Sequence, residues 1–425
     1  MRVVVVGINL IVDFNCHYCY YIVYSIVVYV CYLYIVFKFY GCDKMIYLDY
    51  SSTTPVSKDL LDLYVSISKN YIGNSNSKHF LGKKSSKLLE QAMFDVAREF
   101  DCHSKEIIFT SGASESNTMA IMGTVGILGK RGKHIITSKL EHKSILDLMK
   151  YLASIGYNVE YVNILSNGMI DLNDFELKLS DDTILVSICG VNSEVGFIQP
   201  LDEIRKILDK KGVRCFFHSD LTQALGKIKI DLSSVDMASF SSHKIYAPIG
   251  CGILYKKRTI QINKLIYGSS SNCAYRGGTP ALPLIVTFAK AIQIAQENLL
   301  NNYNRCVMLK KILVQGLSKY PVVINSNDLC VSQIINLSLL ECSNKEFVSR
   351  LSDEGICLST NSACCGDNEE SIILNEITNN NKKISSTSIR ISISHLTTKE
   401  EIYEFLRIFD LIWNDLKIKI VRREN

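Results

Sequence analysis

The chain has 425 residues, of which 47% are hydrophobic and 21% charged, and a formal net charge of +5. That length supports a large core and two domains, and the charge is mild and spread out, with no basic stripe of interleaved aromatics to suit nucleic acid. The 15 cysteines are an odd number with no paired metal-type spacing, which argues for a reducing compartment and against a disulfide framework or a metal centre.

In chain order, residues 1–44 stand apart. Residues 14–37 contain no Asp, Glu, Lys or Arg, and their length could cross a bilayer. Arg2 precedes this segment and Lys38 follows it. It reads as a signal-anchor, a cleaved leader, or an upstream translation artefact with the start at Met45. It is a poor mitochondrial presequence, which should be amphipathic and rich in Arg and Ser. Any membrane attachment would run through this segment alone. Cys16 and Cys19 make a CxxC-like pair, but no second pair accompanies them.

From Met45 onward, apolar runs alternate with helical stretches. Residues 106–110, 134–137, 159–162, 183–188, 215–218 and 237–240 read as strands, and 201–211 as a helix. This alternation predicts parallel β-α-β units, hence an α/β fold with a large domain over 45–300 that includes an N-terminal arm. Residues 301–425 read as a smaller α+β domain. It has a helical run at 299–317, strands at 332–339, 355–359 and 388–394, and an amphipathic helix at 399–417. Residues 378–383 form an Asn-rich loop.

In such a sheet, ligands sit at the carboxyl ends of the strands. Ser241-Ser242-His243-Lys244 follows one apolar run and Asp220 ends another, with Gln223 just beyond. A lysine amine condenses with carbonyls, and a carboxylate keeps a pyridinium nitrogen protonated; both suit pyridoxal phosphate. Taken singly, a surface Lys and a strand-end Asp are ordinary. Thr110-Ser111-Gly112-Ala113-Ser114 joins a strand to a helix start and suits a phosphate, though the same residues make a plain N-cap. His142, after Glu141, could stack on a flat ring or be structural. Cys364, in Asn361-Ser362-Ala363-Cys364-Cys365-Gly366, is a candidate nucleophile or sulfur carrier, or one incidental thiol among many. Arg390 in an alternating strand could grip a carboxylate with its planar fork, or lie on the surface.

Jointly these segments are far more specific. Tyr47-Leu48-Asp49-Tyr50, Thr110-Ser111-Gly112-Ala113-Ser114-Glu115-Ser116, His134-Ile135-Ile136-Thr137 with Glu141-His142, Ser241-Ser242-His243-Lys244, Ser362-Ala363-Cys364 and Ser388-Ile389-Arg390 follow in one order. From about Ile46 to the C-terminus, the chain resembles the cysteine desulfurases of the class V aminotransferase group, in the branch of bacterial and mitochondrial housekeeping iron–sulfur assembly. The resemblance implies an aspartate aminotransferase-like type I fold and pyridoxal 5'-phosphate as cofactor. It implies that Lys244 binds the cofactor as an internal Schiff base, that His142 stacks on the ring and relays protons, that Asp220 pairs with the ring nitrogen and that Gln223 contacts the ring oxygen. Ser114, Ser241 and His243 would hold the phosphate, with Thr279 reaching in from the second subunit of a homodimer. Arg390 would bind the carboxylate of L-cysteine, and Cys364 would take its sulfur as a persulfide, releasing L-alanine. The sulfur would pass to an iron–sulfur scaffold or another acceptor, tRNA thiolation included, with Cys364 as a transient cluster ligand. The implied location is a mitochondrion or related organelle, against a cytoplasmic or membrane-anchored alternative.

Some positions depart from that pattern. Ser193 stands where the family usually has an Asn that touches the ring oxygen. Asn192, one place earlier, is the remaining candidate, although a regular strand register would turn it elsewhere. Gly190 replaces a usual His, residues 267–279 are altered, Cys365 beside Cys364 is unusual, and the tail is short. Two alternatives to a desulfurase are a related selenocysteine lyase and a degenerate, weakly catalytic cofactor-binding subunit.

Overall fold

The computed structural model describes residues 45–268, 274–360 and 370–424. The apolar segment 14–37, the Cys16 and Cys19 pair, and Cys364 with Cys365 lie outside the described residues. The main packed unit begins at Tyr47.

Seven strands form the central sheet: β1 (Ile107–Thr110), β2 (His134–Ser138), β3 (Asn158–Val162), β4 (Thr183–Ser187), β5 (Phe216–Asp220), β6 (Met237–Ser241) and β7 (Gly252–Lys256). Their spatial order is β1-β7-β6-β5-β4-β2-β3. The pairs β2–β3, β2–β4, β4–β5 and β5–β6 are parallel. Strand β7 is antiparallel to both β6 and β1, so it alone runs against the rest. The expectation of parallel units throughout missed β7. Residues 242–251 hold only a short 3-10 turn and supply no crossover helix, and a strand reached that way returns antiparallel.

Both faces of this sheet are buried. Ile107, Ile136, Val186, Ala238 and Ile253 enter one hydrophobic cluster, while their neighbours Ile108, Ile135, Leu185, Met237 and Leu254 enter another. Strands covered on both sides read as unbroken apolar runs, which is why they were legible without alternation. Helices α1 (Lys58–Asn70) and α2 (Phe80–Glu99) pack against α6 (Leu282–Glu297). Helices α3 (Ala113–Leu128) and α4 (Lys143–Ser154) begin at the ends of β1 and β2. Helix α5 (Leu201–Lys211) falls where the sequence predicts it. Asp202 and Glu203 occupy its first turn, Lys210 and Lys211 its last, and Gly212 closes it at φ 66°.

After α6 come α7 (Leu299–Leu317), a three-stranded antiparallel sheet and the long α8 (Lys399–Glu424). The small sheet has β8 (Val322–Ile324), β9 (Ile334–Leu339) and β10 (Ser388–Ser392) in the order β10-β9-β8, with Asn336 opposite Arg390. The expected strand at 355–359 shrinks to Ile356–Cys357, but Ser359 still exchanges both backbone hydrogen bonds with Arg390 at 3.3 and 2.7 Å. Residues 48–57 strap this sheet to the β6 turn. Leu48 N–H donates to the Cys357 carbonyl at 2.8 Å and the Leu48 carbonyl accepts from Ser392 at 2.7 Å. Further on, Thr54 and Ser57 N–H donate to the carbonyls of His243 and Tyr246, each at 3.0 Å. No helix of the described residues is long and apolar enough to cross a membrane.

Candidate active site

A cavity of about 370 Å³ opens at the carboxyl ends of the parallel strands. Each wall comes from a different strand exit. Ser111 to Glu115 follow β1, His142 follows β2, Cys189 to Ser193 follow β4, Asp220 to Gln223 follow β5, and Ser241 to Lys244 follow β6. Arg390 enters from β10. The crevice beyond the strand ends is where an open α/β sheet leaves backbone groups and loops free to bind.

Asp220 is the last residue of β5 and is only 7% exposed. Its carboxylate accepts from Asn117 Nδ2 at 2.8 Å and from the Thr222 N–H at 2.9 Å. Gln223 is fixed by donating from Nε2 to the Ser51 carbonyl at 2.9 Å. Its Oε1, with Ser51 Oγ and Thr222 Oγ1, is buried without a hydrogen-bond partner among the described residues. Three orphaned polar atoms on one cavity wall are costly unless a polar ligand meets them.

Lys244 ends the 3-10 turn after β6 and donates from Nζ to the carbonyls of Ser51 at 2.6 Å and Ser52 at 2.5 Å. His243 contacts Thr53 Oγ1 through Nδ1 at 3.1 Å. Burial, then the charges of Lys244 and Lys227, push the His243 imidazole down to about 4, so it is neutral at physiological pH. Helix α3 opens on Gly112, which has no side chain to cap it, and Gly112, Ala113 and Ser114 line the cavity. Uncapped first-turn N–H groups and the positive end of the helix dipole favour an anion there. Burial pushes the nearby Glu115 carboxyl up, but hydrogen bonds from Ser111 (2.8 Å) and Arg276 (3.0 Å) outweigh it and hold the group below its usual range.

His142 is the N-cap of α4, and its Nδ1 accepts the Ser144 N–H at 3.1 Å. The Ser144 hydroxyl lies 2.8 Å from the same nitrogen and itself accepts from Asn117 Nδ2 at 3.0 Å. Asn117 gives its other amide hydrogen to Asp220. With Nδ1 committed as acceptor, the ring proton sits on Nε2. One amide thus ties the orientation of His142 to the carboxylate of Asp220. Sequence reasoning missed Asn117 and Ser144. The available signal was spacing: Asn117 lies three residues past Ser114 on the same helix face.

Arg390 is not a surface residue: it is 1% exposed. Its guanidinium donates to Asp49 at 2.8 Å, to Ser52 Oγ at 2.7 Å and to the Ser193 carbonyl at 3.1 Å. Asn192 is not among the residues that line the cavity. Its Nδ2 donates to the Leu140 carbonyl at 3.0 Å, and its Oδ1 accepts from Glu194 and Val195 N–H at 3.0 and 2.8 Å. Those bonds fold the turn after β4, and Ser193 lines the cavity together with Cys189 and Val191. Gly190 has a local reason: a Cβ there would lie 2.4 Å from Leu221 Cδ2. Cys189 also lines the cavity, and burial, then Glu141 and Asp220, push its thiol well above the usual range. Thr279 is exposed and lies off this lining.

The aminotransferase class-V family profile matches residues 46–405. The cysteine desulfurase IscS of Buchnera aphidicola subsp. Acyrthosiphon pisum (strain 5A) is 36% identical over 373 residues, which cover 85% of this chain and 91% of that protein. The mitosomal cysteine desulfurase of Trachipleistophora hominis is 38% identical over 373 residues, 84% of each chain. Among solved structures, a NifS-like protein aligns with a TM-score of 0.83 at 33% identity, covering 88% of this chain and 100% of that one. The chain belongs to the aminotransferase class-V family and, within it, to the cysteine desulfurases.

Proposed function

We propose that the protein is a pyridoxal 5'-phosphate-dependent cysteine desulfurase that converts L-cysteine to L-alanine and places the sulfur on Cys364. The observation that carries this reading is the convergence of Lys244, Asp220, His142 and Arg390 from separate strands onto one cavity. The residues present fit the cofactor. An amine, a strand-end carboxylate and an uncapped helix N-terminus match its aldehyde, ring nitrogen and phosphate, and the orphaned Gln223 Oε1 supports a polar ring at this wall. When bound, the cofactor supplies an electron sink that lets a proton leave the substrate α-carbon near neutral pH.

Lys244 would hold the cofactor covalently through Nζ, and Asp220 would accept the ring N–H and keep that nitrogen protonated. Gln223 would donate the second hydrogen of its Nε2 to the ring oxygen, the first being held by the Ser51 carbonyl. Ser114, Ser241, His243 and the start of α3 would hold the phosphate, with Thr279 of a second subunit completing it in a homodimer. His142, with its proton on Nε2, would lie against the ring and move a proton at that atom. Arg390 would orient the substrate carboxylate. The thiolate of Cys364 is the nucleophile. It forms an S–S bond to the substrate sulfur as the C–S bond breaks, and a proton replaces sulfur on carbon. The products are alanine and a Cys364 persulfide. Ser359, five positions before Cys364 in the chain, is anchored beside Arg390 of the cavity wall.

The division into residues 45–300 and 301–425 belongs to the same proposal, as does sulfur delivery to an iron–sulfur scaffold or other acceptor protein. An organellar location, mitochondrial or related, draws support from the mitosomal name of one relative. The test is L-alanine and persulfide formation by purified full-length protein given cofactor and L-cysteine. Cys364→Ser should bind cofactor but yield no persulfide, and Cys365→Ser should be much milder. A persulfide mapped by mass spectrometry to Cys365 alone would reverse the assignment, and a wild type that makes no alanine would end the reading.

A further inference from the structure

The turn that carries Gln223 into the first cavity carries Lys227, four residues on, into a second. This cavity is about 630 Å³ and adjoins Lys244. Lys227 is 9% exposed and Gln333 is 6% exposed. Lys227 Nζ and Gln333 Oε1 are both buried with no hydrogen-bond partner among the described residues. Lys58, Lys227, Lys244 and His395 line this space, and none of its described lining residues is an Asp or Glu. Burial, and then the charge of Lys244, push the Lys227 amine down to about 7, with only the buried thiol of Cys306 acting the other way.

Among the described residues, no side chain pairs with the Lys227 amine. A buried cation without a counter-charge weakens a fold, and an apolar side chain of the same length would pack there at no such cost. A buried group with a strongly shifted pKa that lines a cavity is a candidate for function. The two orphans are also opposite in kind: one is a donor and cation, the other an acceptor. A simple oxyanion would satisfy Lys227 and leave Gln333 Oε1 unmet. A molecule bearing both a carboxylate and an ammonium group satisfies both, and the aliphatic walls of Ile245, Ile294 and Leu396 suit a small apolar side chain.

We propose that the cavity beside Lys244 is a second binding site, for a free α-amino acid, with its carboxylate on Lys227 and its ammonium group on Gln333. The inference rests on this cavity, and only the separation of its heat from that of the first cavity draws on the cofactor assignment.

The test is calorimetric titration of the purified, cofactor-loaded protein with L-alanine, while absorbance follows the cofactor site separately. Wild type should bind L-alanine at a site that absorbance does not report. Lys227→Met and Gln333→Leu should each weaken that site at least tenfold. Propionate, which lacks the ammonium group, should bind with the same affinity in Gln333→Leu as in wild type, and more weakly than L-alanine in wild type. Lys227→Met should melt at or above the wild-type temperature. Identical L-alanine isotherms in all three proteins would overturn the proposal, as would no heat beyond the cofactor site at millimolar ligand. Propionate binding wild type as well as L-alanine does would reduce the site to a carboxylate site and overturn the amino-acid assignment. A large fall in the melting temperature of Lys227→Met would make the amine a structural partner instead.

Discussion

Ser193 faces the cavity with a hydroxyl where a longer amide would reach further, and Asn192 is spent on the turn that positions it. A water can bridge the missing distance, but a direct hydrogen bond to a neutral oxygen contributes ~0.5–1.5 kcal/mol, and ~1.5–3 when the oxygen is anionic. Ser193→Asn should therefore tighten cofactor binding roughly 3- to 100-fold, since ~1.4 kcal/mol is tenfold. Its cofactor absorbance should shift as well. Unchanged affinity and spectrum would mean that another donor already serves the ring oxygen. Most residues named from motifs were legible because they sit at strand exits whose local sequence announces them, whereas Arg390 lies in the middle of β10. Ser114, Ser241, His243, Lys244, Asp220, Gln223, His142 and Arg390 all line the one cavity. What the sequence did not reveal is who holds them. Asp49 meets Arg390 across 341 positions of chain and Asn117 meets Asp220 across 103, and no local pattern marks such pairs.

His142 does two jobs at the element level: it lines the cavity and it caps α4. The two can be separated. Asn accepts a backbone N–H at an N-cap nearly as well as any residue, whereas Ala cannot, and the difference is about 1 kcal/mol. His142→Asn and His142→Ala should thus lose activity alike. In denaturant unfolding, the Ala variant should fall about 1 kcal/mol below the Asn variant. Equal stability in the two variants would mean that the Ser144 contact does not hold the helix start. The same double use explains a limit of sequence reading. A His before Lys-Ser-Ile-Leu reads equally as a cap or as a site residue, and only the cavity on its other side shows that it is both. At β7 the limit is different: residues 252–256 were not read as a strand, and its direction depends on the connection, with no helix in 242–251 to carry the chain back to a parallel start.

For the whole molecule, the buried acid Glu141 ties the candidate site to stability. It is 5% exposed. Its Oε1 accepts the Cys189 N–H at 2.7 Å and the Ser138 hydroxyl at 3.0 Å, while Oε2 has no partner among the described residues. Burial pushes its carboxyl up to about 8; the two hydrogen bonds work against that, and the charge of Asp220 adds to it. Between the ordinary carboxyl value of 4.5 and about 8, the folded chain keeps a proton that the unfolded chain has released. Its contribution to stability is therefore fully present below 4.5 and is lost as pH rises through about 8. Glu141→Gln keeps the accepting Oε1 and cannot titrate. His218 and His243, each pushed down to about 4 mainly by burial, titrate alike in both proteins and cancel from the comparison. The stability difference should thus move in favour of Gln by about 1.4 kcal/mol per pH unit across this window and level off above it. Denaturant unfolding at a series of pH values from 5 to 9 would measure the difference. Parallel stability curves for the two proteins would show that Glu141 titrates in the fold as it does in the unfolded chain.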